Sequence, residues 1–296
     1  MYEYLSSWIL CALVVWLLAL LLYVRWWRAD SRAHEASAAA LAKPRASVRV
    51  VRAQTRHPIV LAHGWGEFHR LIPEDLGYGY FRGIPAGLRA SGHTVHVLRV
   101  APTASIERRA AQLALQIKQL DARVNIVAHS MGGLDARLAI ARHGLDQHVA
   151  SLTTIGTPHN GTPLADAALT FGDFPRSREL LAKLGVDIGG VYDLSAARTR
   201  EFNELVRDAP NVLYANVVAA VNPEAGGVHA LLAPAHRYLL RVAGPNDGIV
   251  PASSQRWGET LEEIDADHWA QIGWFARFDV QALYARIVKH LIAREL

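Results

Sequence analysis

Cysteine is almost missing from this chain: Cys11 is the only one among 296 residues. A disulfide framework and a cysteine-ligated zinc site are therefore excluded, and stability has to come from a conventional apolar core. Glycine-rich phosphate loops are missing as well. The sequence contains neither G-x-G-x-x-G nor G-x-x-x-x-G-K-[ST], so no nucleotide, and no other cofactor, is expected. No internal repeat is visible. Basic residues outnumber acidic ones most strongly in one stretch, where eight Lys and Arg between Arg25 and Arg56 face Asp30 and Glu35 alone. The segment 57–296 is close to neutral, so the net charge of +4 belongs to that stretch and does not describe a nucleic-acid-binding face. Cations beside an apolar run are attracted instead to anionic lipid head groups.

The apolar run in question is long. Trp8 to Val24 is an unbroken series of 17 apolar side chains, which as a helix would extend about 26 Å. Tyr2 and Tyr4 on one side and Tyr23, Trp26 and Trp27 on the other are aromatics of the kind that settle at membrane interfaces. A buried core helix would need a polar stripe or caps. A cleaved signal peptide would need a basic n-region and a nearby small-x-small site, whereas the first such site is Ala40-Leu41-Ala42. The expectation is a single-pass anchor over residues 1–28, followed by a basic linker over 29–56. Lys and Arg are absent before the apolar run, while Arg25, Arg28 and Arg32 follow it, which places the C-terminal body on the cytoplasmic side.

From residue 57 to 296, short β-branched runs alternate with amphipathic segments, the pattern of one α/β domain with a mostly parallel sheet covered on both faces. Strands are expected at Ile59–Ala62, Thr94–Val100, Val124–Ala128, Ser151–Ile155, Val212–Val218 and Tyr238–Val242. Helices are expected at Ser105–Leu120 and Val280–Leu291. In the first of these, Ile106, Ala110, Leu113, Ile117 and Leu120 form one face, while Arg108, Arg109, Gln112, Gln116 and Gln119 take the other. The stretch from about 163 to 210 breaks the alternation and reads either as an inserted helical cap or as two ordinary sheet-covering helices.

Val124 to Gly133 carries the chemistry. A strand runs into Ala128-His129-Ser130-Met131-Gly132 and then into a helix, the context of a nucleophile elbow, where the residues two before and two after the serine must be small. A serine hydroxyl needs a base oriented by an acid, and on such a fold the order is Ser, then Asp or Glu, then His. His268 is the latest histidine before the final helix, in Asp265-Ala266-Asp267-His268-Trp269. Asp247, in Asn246-Asp247-Gly248 after the segment ending at Val242, is the acid candidate. Asp265 and Asp267 are rivals, too close in sequence to His268 to come from a separate strand end. Backbone N–H groups for an oxyanion are expected from Met131, the residue after the serine, and from Trp65 in His63-Gly64-Trp65-Gly66. Other polar residues take structural readings. His93 and His96 sit on one strand pointing to opposite faces, which argues against a shared metal. His129 and His159 position loops, and Asp135 and Arg137 form a local polar network.

As a set, Pro58 to Trp65, Gly83 to Leu88, Val124 to Gly133, Ile155 to Thr162, Asn246 to Val250 and Asp267-His268 resemble the α/β-hydrolase lipases, in particular the bacterial triacylglycerol lipases that depend on a foldase. The resemblance implies Ser130, Asp247 and His268 as catalytic triad, Trp65 and Met131 as oxyanion donors, and a mobile lid over an acyl pocket. It also implies a calcium site with an aspartate two residues and a glutamine six residues after the histidine. This chain has Ala270 and Trp274 there, so no metal is expected. The function expected is a membrane-anchored serine hydrolase cleaving carboxylic esters of lipid-like acyl chains. Acyl transfer or thioester hydrolysis on the same residues, and a non-catalytic lipid-binding protein, are the alternatives.

Overall fold

The computed structural model describes residues 54–66, 79–171, 189–222, 227–274 and 278–296. The chain divides into two units, 1–51 and 52–296, and the described residues belong to the second. The expected apolar anchor at 8–24 and nearly all of the basic linker lie outside them. No helix among the described residues is long and apolar enough to cross a membrane.

Among the described residues, six parallel strands form one sheet in the order β2-β1-β3-β4-β5-β6. They are β1 (Ile59–Ala62), β2 (Val95–Leu98), β3 (Val124–His129), β4 (Val149–Ile155), β5 (Leu213–Ala219) and β6 (Glu259–Ile264). Helix α1 (Ile84–Ala90) joins β1 to β2, α2 (Ile106–Lys118) leads to β3, and α3 (Gly132–Arg142) leads to β4. The connection from β4 to β5 holds α4 (Pro163–Phe171), α5 (Gly189–Asp193) and α6 (Ala196–Leu205); α7 (Ala233–Val242) precedes β6, and α8 (Val280–Ala293) ends the domain. Thus helices account for most of the described part of 163–205, and the chain leaves helix at Val206.

Both faces of the sheet are covered, as buried apolar strands require. In β1, Val60 and Ala62 point into a cluster with Leu113, Ile117, Leu134 and Leu138 of α2 and α3. Ile59 and Leu61 point the other way, into a cluster with Ile84, Leu88, Leu283 and Ile287 of α1 and α8. This is the period-two alternation of a strand acting on two separate cores. Helix α2 begins at Ser105, whose side chain caps the Arg108 N–H, and α8 begins at Asp279, which accepts from Ala282 N at 2.9 Å. Because β2 and β3 lie on opposite sides of β1, the strand order reverses at β1. The carboxyl ends of β1 and β3 flank that reversal, where an open α/β sheet forms its crevice.

Three expectations need correction. Tyr238–Val242 is the end of helix α7. The short run Tyr-Leu-Leu-Arg-Val satisfies a strand template, but Pro234 in the first turn and buried Leu232, His236 and Leu239 at three- and four-residue steps make a helix. The last strand is instead Glu259–Ile264, at the sheet edge, where Glu259, Glu262 and Glu263 pair with Arg294, Arg286 and Arg256. Charged side chains on an edge strand discourage further strand addition, and they also hide its apolar signal. His93 precedes β2 rather than lying on it, and Arg109 of α2 is fully buried.

Candidate active site

Ser130 follows β3 directly, with φ +56°, a left-handed conformation that costs a non-glycine residue about 1–2 kcal/mol. The surrounding structure holds it there. Ser130 N donates to Ile155 O at 2.9 Å, and Thr157 Oγ1 donates to Ser130 O at 2.7 Å. Helix α3 must pass close to β1: a Cβ on Gly132 would lie 2.6 Å from His63 O. Ala128, in place of the usual first glycine, is fully buried in the α2–α3 core, and its methyl fits.

His268 Nε2 lies 2.9 Å from Ser130 Oγ, and His268 Nδ1 lies 2.7 Å from Asp247 Oδ2. The three residues come from three separate loops, and all three are buried. Asp247 follows helix α7, not a strand. Its carboxylate is held by four donors: Ile249 N and Val250 N on Oδ1 at 3.0 and 2.7 Å, and His268 Nδ1 and Gln271 Nε2 on Oδ2, the latter at 2.9 Å. The rival acids do other work. Asp267 accepts from Trp269 N, Ala270 N and His229 N, shaping the His268 loop, and burial raises its pKa. Asp265 accepts from Asn222 N.

The loop after β1 comes right up to the serine, for a Cβ on Gly64 would stand 2.6 Å from Ser130 Cβ. Within that loop, Val100 N donates to His63 Nε2 at 3.1 Å, which leaves Nδ1–H to donate to Gly64 O at 2.8 Å. The amides of Trp65 and Met131 have no hydrogen-bond acceptor among the described residues. Helix α5 packs against both side chains: a Cβ on Gly190 would meet Trp65 Cδ1 at 2.9 Å and Met131 Cε at 3.0 Å.

Two buried features were not read from the sequence. Arg109, assigned to the polar face of its helix, turns inward and donates to Asp135 Oδ2 at 2.8 Å and to the carbonyls of His63, Gly64, Ala101 and Pro102. It thereby ties the loop after β1 to the loop after β2. Burial pushes the Asp135 carboxyl up to about 6 in spite of the guanidinium. Gln271 is the second, and it sits on the Asp247 carboxylate. The signal was spacing alone, a glutamine one helical turn after the histidine.

His129 packs its ring 4.5 Å from that of His268, with Tyr80 Oη 2.7 Å from its Nδ1. Burial, followed by the neighbouring His268, keeps its pKa well below the ordinary value. His159 lies between Arg137 and Thr154, its pKa lowered by burial and then by Arg137. Arg137 lies 3.4 Å from the Trp257 ring centroid, and burial lowers its pKa to about 10. The positions to which the resemblance gives calcium ligands carry Ala270, buried, and Trp274, whose Nε1 donates to Tyr80 O. Neither side chain offers an oxygen, so these two positions do not fit that ligand set.

A parallel sheet with a serine elbow after the third strand, hydrogen-bonded to a histidine and through it to an aspartate, has the architecture of an α/β-hydrolase fold. Solved structures share it: a mature Bacillus licheniformis lipase has a TM-score of 0.63 at 22% identity, covering 84% of this chain and 96% of its own. A metagenomic carboxyl esterase reaches 0.66 at 19% identity, covering 86% and 80%. In sequence, residues 106–173 match the PGAP1-like alpha/beta domain. Triacylglycerol lipase 2 of Saccharomyces cerevisiae is 33% identical over 207 residues, 66% of this chain and 62% of that protein. A Vibrio cholerae triacylglycerol lipase is 44% identical over 119 residues, 38% of this chain and 36% of its own. The chain thus spans less than two thirds of the length of these relatives. It has an α/β-hydrolase fold, the fold shared by these solved lipase and esterase structures.

Proposed function

We propose that this protein is a serine hydrolase of carboxylic esters with lipid-like acyl chains, held at a membrane by residues 8–24. The observation that carries the chemistry is the position of His268, in hydrogen-bond reach of both Ser130 and Asp247. Ser130 Oγ attacks the ester carbonyl while His268 Nε2 takes its proton, and Asp247 stabilises the imidazolium through Nδ1–H. The backbone N–H groups of Met131 and Trp65 receive the developing oxyanion. As the carbon–oxygen bond to the leaving alcohol breaks, His268 returns the proton to it. Water, deprotonated by the same histidine, then releases the acid from Ser130. The relatives are named lipases, which supports an acyl substrate of this kind, and the packing of α5 on Trp65 and Met131 supports a helical cap over the acyl site.

The apolar run at 8–24 with Arg25, Arg28 and Arg32 beyond it supports a single-pass anchor with the hydrolase unit on the cytoplasmic side. Reporter enzymes fused after Leu296 test that placement: activity of a periplasm-only reporter overturns it. The catalytic reading is tested on p-nitrophenyl esters from acetate to palmitate, with the full chain beside Ser130→Ala. Hydrolysis strongest on longer chains and a loss of about 10⁶-fold in kcat in the variant are expected. A fluorophosphonate probe that fails to label Ser130 in folded protein would sink the reading.

A further inference from the structure

Helix α7 turns a face to solvent that the catalytic reading does not use. Leu231, just before the helix, is 62% exposed, and Tyr238 and Val242 within it are 39% and 53% exposed; Pro234 is exposed too. Steps of three, four and four residues place these side chains in one stripe, opposite the buried Leu232, His236 and Leu239. Arg237 and Arg241, four residues apart and exposed, run along one edge of the stripe. The helix contains no acidic residue, and neither arginine has a carboxylate partner among the described residues.

An apolar stripe beside unpaired charge of a single sign matches a surface that is apolar within and anionic at its rim. Interfacial helices have this composition, the apolar face entering the head-group boundary while the cations meet lipid phosphates. The helix is also fastened to the catalytic loops. Asn246 Nδ2 donates to His236 O at 3.3 Å beside Asp247, and a Cβ on Gly248 would lie 3.1 Å from Leu232 Cβ. On the other side, His229 N donates to Asp267 Oδ2 at 2.7 Å, next to His268.

We propose that Leu231 and helix α7 form a docking surface for an anionic lipid bilayer, which keeps the loops of Asp247 and His268 one helix away from the head groups. That the docked enzyme draws ester substrate from this surface rests on the function proposed above; the docking itself does not. Its test therefore needs no turnover and uses full-chain Ser130→Ala. Cys11→Ala removes the native thiol, and Val242→Cys carries an environment-sensitive fluorophore. Leu115→Cys on helix α2, where Leu115 is 62% exposed, provides the reference site. The protein is reconstituted in phosphatidylcholine vesicles with or without phosphatidylglycerol, some with brominated acyl chains as quenchers.

The label at 242 is expected to shift to the blue and to be quenched in phosphatidylglycerol vesicles, while the label at 115 is not. Arg237→Gln with Arg241→Gln should lower the docked-to-free ratio about 30-fold, each cation near an anionic surface contributing about fivefold. No quenching at 242, equal quenching at both sites, or a blue shift that follows protein concentration without lipid would each overturn the proposal, the last in favour of a second copy as occupant. Docking by this variant while the wild-type chain hydrolyses no ester would leave this surface standing and sink the catalytic reading alone.

Discussion

Two buried carboxylates lie on either side of Ser130, and their surroundings differ in kind. Asp247, opposite His268, is ringed by N–H dipoles: two amides of its own turn, the Gln271 side chain and the imidazole. Asp135, behind the elbow in α3, faces the full charge of Arg109, yet only Oδ2 is bonded and Oδ1 has no partner among the described residues. Burial wins there and raises its pKa to about 6. An adjacent cation does not guarantee a firmly ionised carboxylate when the cation's donors are spent elsewhere, here on four carbonyls of two loops. In the proposed mechanism the Asp135 region belongs to the frame that presents Trp65, and the Asp247 region belongs to the proton path.

Substitutions should separate the two regions. Asp247→Asn keeps the shape but offers the histidine the wrong partner, and kcat on a soluble ester should fall about 10⁴-fold with little change in folding; a fall under tenfold would remove Asp247 from the proton path. Arg109→Met should act on stability, because it leaves a buried carboxylate and four carbonyls unpartnered. A cost of about 3–5 kcal/mol in urea denaturation is expected, and an unchanged midpoint would sink this account of the frame.

Titration gives the third contrast. The native state binds a proton at Asp135 more readily than the unfolded chain, whose carboxyl lies near 3.9. This contribution to stability is therefore full below about pH 4 and is lost as pH rises through about 6, by at most about 3 kcal/mol. Denaturation at pH 5 and pH 7 should show wild type gaining at the lower pH relative to Asp135→Asn; the reverse order would contradict the assignment. The smallest effect is expected for Gln271→Leu, which removes one donor from a carboxylate that keeps three others. A decrease in kcat of about tenfold with unchanged KM is expected, corresponding to one charge-assisted hydrogen bond, and Gln271→Glu should be worse than Leu because it sets a second negative charge against Asp247. Equal KM and kcat effects would mean a merely structural role.

The parts that were legible share a property: they are local. The elbow is a strand, a serine between small residues and a helix, all within ten positions, and the motifs around Asp247 and His268 are short turns at loop ends. The second group of features needed distant partners. Arg109 lies three residues after Ile106 and four before Leu113, on the buried side of its own helix, where its charge masks its place in the apolar pattern, and only the approach of the loops after β1 and β2 supplies its partners. Gln271 gains its role from Asp247, 24 residues away. Helix α7 and strand β6 were misread or missed for a related reason, since a five-residue apolar run and a charged edge strand carry weak periodic signals that packing overrides.

Sequence alone determined strands β1 to β5 and helices α2 and α8, the serine between Ala128 and Gly132, and the order of serine, aspartate and histidine, because each depends on side-chain volume and polarity over a few residues. Tertiary structure alone decided that β1 lies between β2 and β3, that Arg109 closes the frame behind the serine, and that Gln271 meets Asp247. Those outcomes depend on which loops converge at the reversal of strand order, and convergence in space has no signature in spacing along the chain.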